Sequence, residues 1–150
     1  MKEHTGKPKK YDIIIYIVLK RLENNMKFKE FYISDKSVKS NCVIRSLCKL
    51  LNKEYNVVYE GLCEVAKKLN SSSFNDVPVF EKYMEDNNII KINYSGEIKV
   101  KDLETDSCSY IVFCYDKKEF YHMFSIIDNV IYDKNSECMD LYVIAIYRKN

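Results

Sequence analysis

The stretch Tyr121-His122-Met123-Phe124-Ser125-Ile126-Ile127-Asp128-Asn129-Val130-Ile131-Tyr132-Asp133 decides how this chain folds. β-Branched and aromatic residues fill both arms, and the Asp128-Asn129 pair between them consists of residue types that tolerate positive φ. A two-residue turn at that point makes a β-hairpin and sets its pairing. Ile127 then faces Val130, Ile126 faces Ile131, Phe124 faces Asp133 and His122 faces Asn135. Side chains alternate between the faces of a strand, so His122, Asp133 and Asn135 share one face. Asp133 lies diagonal to His122, with Cα atoms about 7–8 Å apart. A slip of one residue would send Asp133 to the opposite face.

Working outward from the hairpin, period-two patterns mark further strands at 89–94, 110–115 and 141–148, with a turn at Asp116-Lys117-Lys118-Glu119 before the 120–127 arm. The first half of the chain has a different period. Val43, Leu47, Leu50 and Leu51 predict a helix over 41–52, capped by Ser40 or Asn41. Val58, Leu62, Val65 and Leu69 predict a second over 57–69, capped by Asn56. Pro78 opens a third over 78–86. The segment 11–28 reads as a helix whose Ile-rich start suits a strand equally well. Helices followed by strands predict an α+β domain, an antiparallel meander with helices packed on it.

The whole chain, 150 residues, fits one domain, with residues 1–10 (MKEHTGKPKK) expected to be a basic, flexible tail. Apolar residues make up 47% of it, enough for a core. Twenty-four Lys and Arg against 22 Asp and Glu leave a net charge of +2, which speaks against a dedicated nucleic-acid binder. Lys7, Lys9, Lys10 and a Tyr-rich sheet are the features that lean that way, and a solvated terminus explains the lysines more simply. The early apolar run Ile13 to Leu19 is far short of the roughly 20 residues of a membrane span. It is followed by Lys20-Arg21-Leu22-Glu23, which is no signal-cleavage site, so a cytoplasmic protein without membrane contact is expected. The six cysteines (Cys42, Cys48, Cys63, Cys108, Cys114 and Cys138) contain no CxxC pair. Reduced thiols are expected, with no metal and no cofactor.

Three residues carry chemistry together. Cys42 falls at the predicted start of a helix, where free backbone N–H groups and the helix dipole favour a thiolate and can also donate to an oxyanion. His122 sits in the hairpin and is the one candidate base, because His4 lies in the tail. Asp133, or Asn135 directly opposite, can hold the imidazole in the tautomer that serves Cys42. Each residue has a plain alternative: Cys42 as a small core side chain, His122 as a satisfied strand residue, Asp133 as an exposed strand-end carboxylate. Cys48 and Cys63 lie among Leu and Val inside helices and are assigned to packing. Arg45, one turn after Cys42, is expected to form a structural ion pair.

With Ser40-Asn41-Cys42-Val43-Ile44-Arg45-Ser46-Leu47 opening a helix and His122 through Asp133 on a hairpin, the chain resembles a small papain-like cysteine peptidase. It is most similar to the compact bacterial and phage group that includes bacteriocin-processing-like domains. The resemblance spans about residues 34–147, by the order of helices and strands. It implies a papain-like fold with Cys42 as nucleophile, His122 as general base and acid, and Asp133 as orienter. The implied activity is peptide or amide hydrolysis through a thioester, with a peptide or protein as the substrate. The papain pattern has Gln six residues before its Cys and commonly Trp after it; here Lys36 and Val43 stand there, leaving Asn41 and Ser40 as the nearest side-chain donors to an oxyanion. The hairpin carries Asn129 where the group often has Gly. The alternative expectation is a catalytically inactive interaction or accessory protein on the same scaffold.

Overall fold

The computed structural model of the protein describes residues 26–33, 41–94 and 96–150. The hairpin forms as its sequence dictates. Strands β3 (Ser109–Tyr115), β4 (Tyr121–Ile127) and β5 (Val130–Asp133) are consecutive antiparallel neighbours. Ile127 pairs with Val130 and Ile126 with Ile131, the register that the two-residue turn requires. Asp128 and Asn129 adopt φ of 51° and 61°, the left-handed pair that matches the twist of a tight hairpin. The Asn129 amide also hydrogen-bonds Thr105 at 2.6 Å, which ties the turn to the preceding loop.

Around this hairpin the sheet departs from a simple meander. The order of its six strands is β1-β5-β4-β3-β6-β2. Strand β6 (Tyr142–Lys149) crosses over β5 and β4 to pair antiparallel with β3, and β2 (Ile89–Ile92) borders it. Strand β1 (Lys27–Glu30) is parallel to β5. The Lys27 and Phe31 amides donate to the carbonyls of Asn129 and Asp133, so β1 clamps both ends of β5. The helix expected over 11–28 is therefore corrected at its end, where residues 27 and 28 are strand; residues 11–25 and the tail lie outside the described residues.

Three helices, α1 (Cys42–Leu51), α2 (Tyr55–Lys68) and α3 (Val77–Asp86), match the three apolar stripes. The cap expected at Asn56 falls two residues earlier, at Glu54. In each case an asparagine shortly after the last helical residue (Asn52, Asn70, Asn88) turns the chain in the left-handed region that helix ends usually give to glycine. Ile44, Leu47, Val58, Leu62, Phe80 and Met84 pack with Ile111, Met123 and Tyr147 of the sheet as one core. A second cluster, with Val112, Cys114, Phe124, Ile126 and Ile131, fills the other sheet face beneath the 3-10 turns Val100–Asp102 and Ser136–Asp140. The architecture is α+β with a mixed six-stranded sheet. Among the described residues no helix is long and apolar enough to cross a membrane.

Asp128 makes the turn testable. A β-branched side chain at its φ of 51° meets the steric penalty of the left-handed region. Asp128→Val is expected to lower unfolding free energy by about 1–2 kcal/mol in urea titration, whereas Asp128→Gly leaves it nearly unchanged.

Candidate functional site

The front of α1 and the start of β4 meet at one end of the sheet. Helix α1 begins at Cys42 because the Asn41 carbonyl accepts the Arg45 amide at 2.8 Å, closing the first turn. The Ser46 hydroxyl donates to the Cys42 carbonyl at 2.6 Å and further fixes that turn. On β4, Met123 points into the helix-side core, so by alternation His122 falls on the face of Phe124 and Ile126. Asp133 shares a face with Ile131 on β5 for the same reason.

These placements bring the three predicted residues together. The Cys42 thiol lies against the His122 ring, near enough for each to shift the other's titration. The other side of that ring, Nε2, lies 2.5 Å from Asp133 Oδ2. Asp133 is only 1% exposed, and its second oxygen, Oδ1, accepts from Arg45 Nη2 at 2.9 Å and from the Lys134 amide at 2.8 Å. Arg45 is thus the structural ion-pair residue its spacing suggested, and its partner is the carboxylate that orients the histidine. Both Arg45 and Cys42 project from α1, so the ion pair also sets how that helix is rotated against the sheet.

The electrostatics follow from the contacts. Burial raises the Cys42 thiol pKa, but the hydrogen bond and charge of His122, the Met123 backbone N–H and the Arg45 guanidinium together bring it below 9.0. Burial works against a charged His122, yet Asp133 and Cys42 outweigh it and lift the imidazole to about 9. Burial likewise opposes an ionised Asp133, and His122, the Lys134 amide and Arg45 hold it below the usual carboxylate value. These shifts move the pair toward thiolate and imidazolium beside an ionised carboxylate. Cys114 and Cys138 lie close by, but burial pushes both thiols well above the ordinary range. They pack behind the site: Cys114 Sγ rests 3.4 Å from the His122 carbonyl, and Cys138 neighbours Asp133.

The remaining candidates separate. Asn135 does not reach His122: β5 ends at Asp133, and Asn135 caps the 3-10 turn by accepting the Glu137 amide at 3.0 Å. Asn41 stands at the helix N-cap without making a side-chain cap bond. Ser40 and Lys36 lie outside the described residues. Two contributors went unnoticed in the sequence. Phe120 stacks on the His122 ring at 5.7 Å with planes 17° apart, and the Met123 amide faces the sulfur. Phe120 was findable, since it lies two residues before His122 on the same strand face; the Met123 contact needs the helix position and has no sequence signal.

Cys42 and His122 line two cavities at once. One, of about 670 Å³, brings the polar side chains of Asn41, Arg45, Asp133 and Asn135 together with Phe120 and Leu141. The other, of about 790 Å³, is walled by Phe80, Phe113, Tyr115, Tyr121 and Val143. Phe113 and Tyr115 each stack with Tyr121, at 5.9 and 6.0 Å, and Tyr121 is 54% exposed at the rim. Cys42 therefore lies between two chambers, the second of them walled largely by aromatic rings. Comparison with protein-family models, with curated proteins and with solved structures finds no match to the chain.

Two measurements address this geometry. Iodoacetamide alkylation of Cys42, followed by peptide mass spectrometry across pH, is expected to show a midpoint below that of a free cysteine in a reference peptide. In His122→Ala, burial acts without its main counterweight, so the midpoint is expected to move upward and the rate at neutral pH to fall. Arg45→Ala leaves the buried Asp133 with His122 as its remaining charged partner; unfolding free energy is expected to drop by about 3 kcal/mol in urea titration, the low end for breaking a buried pair.

Proposed function

We propose that the protein is a papain-like cysteine hydrolase that cleaves peptide or amide bonds, with Cys42 as nucleophile, His122 as general base and acid, and Asp133 as orienter. One observation carries this reading: the continuous series from the Cys42 thiol through the His122 ring to the Asp133 carboxylate, at the N-terminus of a helix. The Cys42 thiolate attacks the carbonyl carbon of the substrate. The carbon–sulfur bond forms and the carbonyl π pair moves to oxygen, giving a tetrahedral oxyanion beside the N–H groups of the first turn of α1. The imidazolium of His122 gives its proton to the leaving nitrogen as the carbon–nitrogen bond breaks, and a thioester remains. Neutral His122 then takes a proton from water, the hydroxide adds to the thioester, and the collapsing intermediate expels the Cys42 sulfur and frees the acid. Asp133 stays ionised throughout and stabilises the imidazolium, as its lowered pKa suits it to do.

The two cavities suit an extended peptide laid across the sulfur, with a bulky apolar side chain in the chamber of Phe80, Phe113 and Tyr121. A thiolate nucleophile and six free cysteines fit a reducing compartment, and we place the protein in the cytoplasm. Incubation with a mixed peptide library, read by mass spectrometry, is expected to give cleavage next to large apolar or aromatic residues. Cys42→Ala and His122→Ala should each remove that cleavage. An inactive scaffold for binding would leave the library intact with every variant, wild type included, and cleavage that survives Cys42→Ala would overturn the assignment.

A further inference from the structure

We propose that the side-chain amide of Asn41 donates a hydrogen bond to the oxyanion formed when Cys42 attacks a carbonyl carbon. The inference rests on the hydrolase reading above and supplies the side-chain donor that reading leaves unassigned.

Asn41 occupies the N-cap of α1, where an asparagine side chain ordinarily accepts a hydrogen bond from the N–H two or three residues on. Here it does not. That bond needs an extended N-cap backbone, and Asn41 instead has φ of −117° and ψ of 40°. The side chain is consequently free of its usual task, yet the residue is only 7% exposed and lines the smaller cavity with Cys42, Arg45 and Asp133. Among the described residues, Asn41 has no side-chain hydrogen-bond partner. Ser125 Oγ is the one buried side-chain oxygen or nitrogen among them that is cut off from both solvent and partners, so the Asn41 amide keeps open access to the cavity.

The residue is more than nine-tenths buried, yet its amide reaches the cavity with its bonds uncommitted, available to a ligand atom there. Its neighbours point to what that is. Asn41 precedes the nucleophile directly, so its amide and the N–H groups of the first helical turn border the same space. The developing charge in acyl transfer lies on an oxygen one bond from the carbon that Cys42 attacks. A carboxamide offers two N–H donors and no charge, which suits an oxyanion without drawing the thiolate into a competing ion pair. Arg45 is engaged by Asp133 at 2.9 Å and leaves that task to a neutral donor.

p-Nitrophenyl acetate provides a probe whose first step forms this oxyanion: the Cys42–carbon bond forms, the carbon–oxygen bond breaks, and p-nitrophenolate is released in a burst. Iodoacetamide alkylates the same sulfur by displacement at a saturated carbon, with no oxyanion. In Asn41→Ala the burst rate is expected to fall about 10²–10³-fold, the usual loss of one such donor, while alkylation of Cys42 keeps its wild-type rate and pH midpoint. Asn41→Ser, which preserves a good helix-capping residue, should remain well below wild type in the burst. If either variant keeps the burst within about threefold of wild type, or if alkylation falls in step with it, Asn41 is not the donor. A wild-type chain that is alkylated at Cys42 but gives no burst would remove the hydrolase reading and this assignment together; a normal wild-type burst that Asn41→Ala leaves intact removes the assignment alone.

Discussion

A carboxylate buried to 1% exposure is expensive, and the site depends on how Asp133 is compensated. Oδ2 meets His122, and Oδ1 meets Arg45 and the Lys134 amide, so both oxygens are satisfied by charged or backbone donors. These partners come from different parts of the chain. Asp133 closes β5, His122 opens β4, and Arg45 sits one turn along α1 from Cys42. Satisfying the acid therefore docks the helix on the sheet in one rotation and brings the sulfur to the imidazole. Packing in the helix-side core supplies most of the attraction between these layers, but apolar contacts alone tolerate small rotations of a helix. The ion pair narrows that freedom. Stability and chemistry here draw on the same oxygen atoms.

The same arrangement explains why one thiol among six differs from its neighbours. Cys42, Cys114 and Cys138 all feel burial, which disfavours a thiolate. Cys114 and Cys138 face the Asp133 charge with no cation of their own, and their acidity falls further. Cys42 faces His122 and Arg45, lies at a helix N-terminus and receives the Met123 N–H. Proximity to His122 and Arg45 on the one hand, or to Asp133 on the other, thus separates a thiol whose pKa is lowered from two whose pKa is raised. Phe120, stacked on that ring, covers part of the imidazole from solvent and lessens the screening of its charge.

Much of this was readable in the sequence because it depends on local rules. The Asp128-Asn129 turn dictates register, register dictates faces, and so His122 and Asp133 could be placed side by side before any coordinates. Arg45 could be assigned to an ion pair from its spacing to Cys42, though not to Asp133 in particular, since the approach of α1 to β5 is a tertiary matter. Asn135 shows where alternation stops serving: it lies opposite His122 only if the strands continue, and β5 ends two residues earlier. The meander failed for a related reason. The apolar pattern of β6 suits a place beside β5 or beside β3, and nothing local chooses between them. Lys27-Phe28-Lys29-Glu30 carries a single apolar residue, too weak a pattern to announce a parallel edge strand. The papain-like reading is a proposal that rests on motif and geometry together.

One economy of the backbone has a bearing on the whole molecule. The helices close on Asn52, Asn70 and Asn88, and the hairpin turns on Asp128 and Asn129, all in a conformation that glycine adopts most easily. With three glycines in 150 residues, and Gly96 the one described at positive φ, these reversals are made by side chains with a Cβ. Such residues roam less widely when the protein is denatured, and each position held this way forgoes a disordering advantage of about 0.4–1 kcal/mol that glycine would hand to the unfolded ensemble. Local strain in the native turns works in the opposite direction, softened for Asn and Asp by their short polar groups. The native state is accordingly favoured in part by what its denatured counterpart is prevented from exploring.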